Sequence, residues 1–172
     1  HRLKGQHIGI TGQGGVLGRI LAERFSRHGI LMTSFPGDIT DAAAVHSWFE
    51  MNQFTHLIHL AAIVSVDRVN SDPLRACETN VLGVYHICSE IIRTQKNCWL
   101  FLASTAHVYQ GSAPVNGEKL RESSPLKPIT FYGQTKLMAE QMAWPLLQQY
   151  GKSGCIGRIF SFTHQSQKEP YL

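Results

Sequence analysis

The sequence predicts an α/β fold built on a doubly wound parallel sheet. Apolar runs alternate with helical patterns along the chain, and the first apolar run leads through a glycine-rich turn into a helix. No internal repeat or low-complexity tract interrupts that order. With 172 residues, of which 43% are hydrophobic and 16% charged, the chain has the size and balance of one globular domain.

The first half of the chain is predicted to contain three strands with two helices between them. Strands are expected over 7–11, 30–34 and 56–61, and a helix over 16–28 follows the glycine turn. The second helix, over 41–53, is predicted by a stripe of apolar residues at helical spacing, namely Ala42, Val45, Trp48 and Phe49.

The second half of the chain continues the alternation. A long helix is expected over 73–94, with a proline in its first turn, where a missing amide hydrogen costs nothing. A strand over 98–104 leads into a loop over 110–128 that is rich in Gly, Pro, Ser and charge. A helix over 131–150 and a strand over 154–160 follow, and the proline inside that helix is expected to kink or break it.

Charge and cysteine usage narrow the classes of partner. The net charge of +4 comes from scattered Lys and Arg, so neither nucleic acid nor a membrane surface is an expected partner. No apolar stretch reaches the roughly 18 residues of a membrane span. The nine histidines show no ligand spacing, and we predict no metal site. A cytoplasmic location is expected because no C-x-x-C pair or dense framework joins the four cysteines, Cys77, Cys88, Cys98 and Cys155.

A glycine-rich turn follows the first predicted strand. The segment T-G-Q-G-G-V-L-G contains three glycines spaced G-x-x-G-x-x-G, which let a pyrophosphate approach the backbone and the free amides of a helix N-terminus. A tight turn without a ligand would use the same glycines, but the strand before and the helix after favour dinucleotide binding. The predicted contacts are Gly12, Gly14, Gly15, Val16, Leu17 and Gly18.

The choice between NAD and NADP stays open, with a lean towards NADP. The carboxylate that holds the ribose of NAD normally stands at the end of the second strand. This chain has Thr33, Ser34 and Phe35 there, and no arginine to hold a ribose phosphate. We predict that Ser34 contacts the cofactor.

A tyrosine and a lysine four residues apart suggest proton transfer. In Y-G-Q-T-K, Tyr132 and Lys136 are neighbours on one helix face. A tyrosine ordinarily has a pKa near 10, and a nearby ammonium favours its ionised form. Thr105 closes the fourth predicted strand, where its hydroxyl would hold a substrate oxygen for Tyr132 to protonate.

These residues resemble the extended short-chain dehydrogenase/reductase family, which has a Rossmann-like fold. The matching motifs run in order along nearly the whole chain: the glycine turn, G-D-I-T-D, L-A-A, N-V-L-G, S-T-x-x-V-Y and Y-x-x-x-K. The resemblance implies that Thr105, Tyr132 and Lys136 form a catalytic triad, and that Asn80 supports the proton relay. It also implies that Asp38 and Ile39 flank the adenine of the cofactor, and that Ala61 and Ala62 line it.

Within the family, the motifs favour reduction of a nucleotide-linked 4-keto sugar. Sugar dehydratases carry an acidic pair where this chain has Ala106 and His107, which argues against dehydration. Residues 61–73 resemble the dTDP-4-dehydrorhamnose reductase branch, whereas S-T-A-H-V-Y is also close to the motif of sugar 4-epimerases. Ser65 and His107 are expected to contact the sugar. A cofactor-binding regulatory module, such as the regulatory subunit of methionine adenosyltransferase, is a further alternative.

The resemblance also bears on the size and assembly of the protein. We interpret residues 1–172 as an NAD(P)-binding domain whose C-terminal substrate lobe is missing or reduced, and we expect that lobe after residue 172. The family commonly dimerises through the two helices that begin near Pro73 and Phe131, so we expect a homodimer.

Overall fold

The computed structural model describes residues 5–94, 97–112 and 119–162. Within those ranges the elements follow one another as β1 (His7–Thr11), α1 (Val16–Arg27), β2 (Leu31–Ser34), α2 (Ala42–Met51), β3 (His56–His59), α3 (Val66–Ser71), α4 (Pro73–Cys77), a π-helix (Glu78–Leu82), α5 (Gly83–Arg93), β4 (Trp99–Thr105), a 3₁₀-helix (Ala106–Ser112), α6 (Phe131–Gln149) and β5 (Gly154–Ile159).

The strands form one parallel sheet in the order β2-β1-β3-β4-β5. The chain moves from β1 to β2 in one direction and then crosses back to β3, so the order reverses between β1 and β3. Right-handed crossovers then place α1 on one face and α2, α5 and α6 on the other. Helix α5 does pack against both α2 and α6. The predicted doubly wound α/β fold is confirmed, and its ligand crevice is expected at the reversal, beyond the strand ends.

The main core lies between the sheet and helices α2, α5 and α6. Along β4, Leu100 and Leu102 are buried, while the alternate residues Trp99 and Phe101 remain partly exposed. Because alternate side chains of a strand point to opposite faces, the face away from these helices is the less covered one. The largest fully buried apolar side chains of this core include Phe49, Leu57, Ile87, Ile91, Leu100 and Leu102.

The long helix predicted over 73–94 is not a single α-helix, because its hydrogen-bonding pattern changes along its length. The π-helix separates α4 from α5, although the backbone at the two junctions keeps helical angles. An unpredicted short helix, α3, precedes them. Ser65 caps α3 through the amide of Arg68, and Asp72 caps α4 through the amide of Arg75, so two polar side chains define where these helices begin.

Three further expectations need correction. The region predicted as a loop from residue 110 begins inside the 3₁₀-helix, and residues 113–118 lie outside the described ranges. Of the two effects expected of Pro145, a kink or a break, the break is wrong, because α6 continues through Pro145 to Gln149. Strand β3 ends at His59 rather than at residue 61, and the amides of Leu60 and Ala61 bond to Thr11 instead.

No helix in the described ranges is both long enough and apolar enough to cross a membrane.

Candidate active site

The glycine turn packs too tightly for side chains at two of its positions. Gly12 has φ +74°, and a Cβ there would lie 2.6 Å from the backbone nitrogen of Ala61. A Cβ at Gly18 would lie 2.5 Å from the Cα of Gln13. A Cβ at Gly14, in contrast, would meet nothing within 4 Å. The turn therefore packs against the protein backbone at Gly12 and Gly18. At Gly14 it has free space, from which a ligand would approach.

Helix α1 begins at the end of the turn, and no side chain caps its N-terminus. Gly15 occupies the N-cap position, and no acidic residue lies in the first turn. The first amides of a helix have no partner inside the helix, so those of Val16, Leu17 and Gly18 are available to an anion. A pyrophosphate fits this cradle in charge and in backbone clearance.

Thr11 and His59 join the glycine turn to the end of β3. The Thr11 hydroxyl oxygen accepts a hydrogen bond from the amide of Ala61 at 3.2 Å and shares the amide hydrogen of Leu60 with the Thr11 carbonyl. Its own hydrogen is then donated to Nδ1 of His59, at 2.9 Å. This places the imidazole proton on Nε2, which is buried without a partner among the described residues.

His59 is held in its neutral form. Burial lowers its pKa to about 3, and the charge of Lys136 acts in the same direction. The role of this histidine was not predicted, because nothing in the local pattern indicates a contact with a residue 48 positions earlier in the chain.

The residues expected around the adenosine lie along the ends of β2 and β3. Ser34 ends β2 and is half-buried, as are Ala61 and Ala62 after β3. Ile39 is buried against Gly83, at the start of α5. These positions share the carboxyl edge of the sheet with the glycine turn.

The Asp38 carboxylate interacts with two other residues. It accepts hydrogen bonds from the amide and hydroxyl of Thr40, at 3.0 and 2.8 Å, and forms an ion pair with Arg75. The bonds from Thr40, followed by the one from Arg75, lower the pKa of this carboxyl. Arg75 is a cation near the end of β2 that sequence analysis did not place there, because it comes from α4.

Thr105, His107 and Tyr132 come together where β4 ends and α6 begins. The amide of His107 donates to the Thr105 hydroxyl at 3.3 Å, and the His107 ring meets the Tyr132 ring edge-on at 5.3 Å between centroids. A Cβ at Gly133 would lie 2.9 Å from the His107 carbonyl oxygen, so α6 starts directly against the 3₁₀-helix. Nδ1 of His107 is buried and has no partner among the described residues.

Lys136 lies one helical turn beyond Tyr132 and is only 4% exposed. Burial lowers its pKa to about 8, and the opposite charge of Glu140 offsets part of that effect. An ammonium has three hydrogens to donate, and the hydroxyl oxygens of a ribose would accept them. The residues present therefore fit a dinucleotide.

Asn80 sits in the π-helix and holds two segments together. Its side-chain amide donates to the Ile63 carbonyl and to the Thr135 hydroxyl, both at 3.0 Å, and its oxygen accepts from the Ile63 amide at 2.8 Å. Thr135 in turn donates to the Tyr132 carbonyl at 2.8 Å. Both amide hydrogens of Asn80 are thus used, and the side chain links the π-helix to the helix that carries Tyr132.

The other residue predicted to contact the sugar, Ser65, lies beyond the end of β3. Its hydroxyl oxygen accepts from the Arg68 amide at 3.5 Å as the cap of α3, while its hydroxyl hydrogen is not needed for the cap. Within the described ranges, no group of three or more His, Cys, Asp or Glu side chains is arranged to hold a metal ion.

Several polar residues beneath this edge were not predicted from the sequence, although the spacing of one of them indicated its position. Glu140 follows Lys136 by four residues, so the two share a helix face. Thr11, His59 and Arg158 carried no such signal, since their partners are distant in the chain.

Comparisons with known proteins agree with this geometry. The model of the NAD dependent epimerase/dehydratase family matches residues 8–169. A dTDP-4-dehydrorhamnose reductase of Streptomyces griseus is 32% identical over 145 residues, which are 83% of this chain and 46% of that protein.

Two solved structures show the same fold. The UDP-glucose 4-epimerase of Thermus thermophilus, in complex with NAD, gives a TM-score of 0.81 at 25% identity and covers 88% of this chain and 54% of that one. The dTDP-4-dehydrorhamnose reductase of Bacillus anthracis, in complex with NADP, gives 0.78 at 25% identity and covers 91% and 54%. The chain thus spans about half the length of these relatives.

Proposed function

Since the chain belongs to the NAD dependent epimerase/dehydratase family, we propose that it is the cofactor-binding part of an NAD(P)-dependent oxidoreductase that reduces a nucleotide-linked 4-keto sugar. The family predicted from the sequence motifs is confirmed; the reaction is the proposal. Its main support is that Thr105, Tyr132 and Lys136 are each buried, the first at the end of β4 and the other two in the first turns of α6, near the edge that also carries the glycine cradle. The similarity to dTDP-4-dehydrorhamnose reductases favours reduction.

The cofactor proposed for this edge is NADP or NAD. The amides of 16–18 would bind the pyrophosphate, and Gly12, Gly14 and Gly15 would let it approach. Ser34 would contact the adenosine ribose, Asp38 and Ile39 would flank the adenine, and Ala61 and Ala62 would line the cofactor. One similar solved structure is a complex with NAD and another with NADP, which matches the open choice at Ser34.

The residues at the end of β4 would handle the proton. A reduced nicotinamide bound here would supply a hydride to the keto carbon of the sugar. The Thr105 hydroxyl would donate a hydrogen bond to the carbonyl oxygen and orient it. The Tyr132 hydroxyl would give its proton to that oxygen as the new C–H bond forms, leaving a sugar hydroxyl. Lys136 would stabilise the ionised Tyr132 and hold the cofactor ribose.

The surrounding residues would keep this machinery in place. Asn80 fixes α6 through Thr135 at the turn that carries Tyr132, and in this proposal it supports the return of a proton to the tyrosine. His107 would contact the sugar, since its ring meets the ring of Tyr132 edge-on and its Nδ1 has no partner in the described part of the chain. Ser65 would contact the sugar through its hydroxyl hydrogen.

An epimerase is the second candidate. UDP-glucuronate and UDP-glucose 4-epimerases are also among the similar proteins, at 31% identity over 124 and 113 residues. In an epimerase the same three residues would first accept and then return the proton, and the cofactor would be unchanged after each turnover.

The stoichiometry of the cofactor separates the two candidates. The full-length protein would be incubated with NADPH or NADH and dTDP-4-dehydrorhamnose, and the absorbance of the reduced nicotinamide followed. We expect one cofactor consumed per sugar, and a loss of rate of about 10²–10⁴-fold in Tyr132→Phe. Unchanged absorbance would exclude this reduction, and tight cofactor binding without turnover would instead favour a regulatory module.

The wider setting of the protein is also part of the proposal. A substrate-binding lobe would follow residue 172 and supply most contacts to the nucleotide sugar. Exposed apolar side chains on α5 and near the start of α6, including Tyr85 and Phe131, are suited to a homodimer interface. None of the four cysteines, all of which lie in the described residues, forms a disulfide, which is consistent with a reducing cytoplasm.

A further inference from the structure

A cluster of four polar side chains lies behind the candidate active site. Arg158 of β5 forms a two-pronged ion pair with Glu140 of α6, with nitrogen–oxygen distances of 2.7 and 3.0 Å to Oε2. The Ser104 hydroxyl donates to Oε1 of Glu140, and Arg158 also donates to the Tyr109 hydroxyl. Ser104, Tyr109 and Glu140 are all buried. We call these four residues the buried polar cluster.

Each member of the cluster except Arg158 is a close chain neighbour of a candidate site residue. Ser104 immediately precedes Thr105 on β4, and Tyr109 follows His107 in the 3₁₀-helix. Glu140 follows Lys136 by one helical turn. The Glu140 carboxylate therefore ties the strand that ends in Thr105 to the helix that carries Tyr132 and Lys136.

The charge of Glu140 also acts on Lys136. Both side chains are at most 4% exposed, so their attraction is weakly screened. Tyr132 on the same helix and His59 of β3, which is neutral at physiological pH, also lie near the lysine, and the positive charge of Arg158 lies against the Glu140 carboxylate. Glu140 is therefore the anion that opposes the cost of burying the ammonium.

We propose that Glu140 is a positioning residue, which ties the strand that ends in Thr105 to the helix that carries Lys136 through Ser104 and Arg158, and which places its carboxylate one helical turn from Lys136. The inference rests on the proposed function in one respect, namely that Lys136 contacts the cofactor. The alignment and the charge are properties of the chain itself, and they can be measured without turnover.

The experiment compares Glu140→Gln with Arg158→Lys in the full-length protein. The titration of Lys136 is followed through the NMR signal of its ε-carbon, and NADPH affinity is measured over the same pH range. In the natural protein we expect the midpoint at about pH 8. In Glu140→Gln the lost anion should lower it by about one pH unit, and NADPH affinity should begin to fall at a correspondingly lower pH. Arg158→Lys keeps both charges and should leave the midpoint in place.

A second variant guards against misfolding. If Glu140→Gln leaves Arg158 too poorly paired to fold, Glu140→Gln combined with Arg158→Gln removes both charges, and the midpoint should still fall. A midpoint unchanged from the natural protein in a folded variant would overturn the inference. Failure of the proposed reduction would appear differently, as an intact Lys136 titration in a protein that consumes no NADPH.

Discussion

Gly18 is the position in the glycine turn where a side chain has least room. A Cβ there would lie 2.5 Å from the Cα of Gln13, which is backbone and cannot rotate away. We expect Gly18→Ala to lower the free energy of unfolding by about 1–3 kcal/mol, as other overpacked sites do. It should also weaken NADPH binding, because the displaced turn carries the amides that meet the pyrophosphate. Denaturant unfolding and a fluorescence titration measure the two effects.

Gly14→Ala is the matched control for stability. A Cβ at Gly14 meets nothing within 4 Å, and the residue has no positive φ, so the free energy of unfolding should change by less than about 0.5 kcal/mol. Equal destabilisation by the two alanines would show that the packing of the turn is not the reason for its glycines.

Because the pKa of His59 is lowered in the folded protein, we expect the free energy of unfolding to depend on pH. In the folded protein its pKa is lowered from 6.5 to about 3, so the unfolded chain binds the extra proton between those values. Stability should therefore fall as the pH drops below about 6.5, by at most about 1.4 kcal/mol per pH unit, and this residue should contribute nothing above that pH. Urea unfolding at a series of pH values measures the slope.

His59→Asn supplies the reference for that slope. Asparagine offers an acceptor to the Thr11 hydroxyl but does not titrate. The acid-side slope of the natural protein should exceed that of the variant. Identical slopes would mean that His59 is protonated in the folded state, against the hydrogen-bond assignment to Thr11.

At the residue scale, the sequence revealed the groups whose partners are close in the chain. The glycine spacing and the Tyr132–Lys136 pair are local patterns, and the structure brings those residues to one edge of the sheet. The Thr11–His59 pair and the contact of Ser104 with Glu140 join residues 48 and 36 positions apart. No local pattern records such a pairing, because it exists only once the strands are adjacent.

At the element scale, Pro145 is a test of how α6 is stabilised. Proline lacks the amide hydrogen that would bond to the carbonyl four residues earlier, yet the helix continues to Gln149. Because Pro145 is exposed, alanine at this position should remove the defect without disturbing the core. We expect Pro145→Ala to raise the free energy of unfolding by about 1–3 kcal/mol, as measured by urea denaturation.

Gln148→Ala, at another exposed position of the same helix, is the comparison variant and should change stability by less than about 0.5 kcal/mol. A loss of stability in Pro145→Ala, with Gln148→Ala neutral, would mean that the proline makes a contact that outweighs the missing hydrogen bond.

The strands were predicted well because each is a short apolar run between polar turns. The helices near residue 70 were not, for physical reasons. Helix α3 has six residues, too few to show a helical period. The π-helix keeps the same apolar spacing as its flanks, and its altered hydrogen bonds coincide with the tertiary contacts of Asn80.

At the scale of the whole molecule, the described residues leave one face of the sheet incompletely covered. Trp99 and Phe101 are partly exposed on the face away from α2, α5 and α6, and Phe160 and Phe162 are exposed after β5. If a substrate-binding lobe follows residue 172, it would cover part of this apolar surface. We expect the 172-residue chain alone to bind the dye ANS and to self-associate, and the full-length protein to bind little dye.

Gel filtration with ANS fluorescence measures this difference on matched preparations of the two chains. A monomeric 172-residue chain that binds no dye would contradict the proposal that this face is a docking surface for the rest of the protein.

The overall architecture was predictable from the alternation of apolar runs and helical patterns, since that alternation requires parallel strands with crossovers. The reversal of strand order between β1 and β3, which creates the crevice, was expected only from the class of fold. The sugar could not be predicted, because most of its contacts are proposed to come from a lobe that is not part of residues 1–172.

In the proposed reaction, a hydride passes from the cofactor to a keto sugar at this site. The most direct measurement uses NADPH deuterated at both C4 positions of the nicotinamide, with dTDP-4-dehydrorhamnose and the full-length protein, followed by mass spectrometry of the sugar. We predict one deuterium on the carbon that was the ketone, and about 10²–10⁴-fold less of this deuterated sugar in the same time when Tyr132→Phe replaces the natural protein. A converted sugar without deuterium would contradict the claim and identify the chemistry as something other than net reduction by the cofactor.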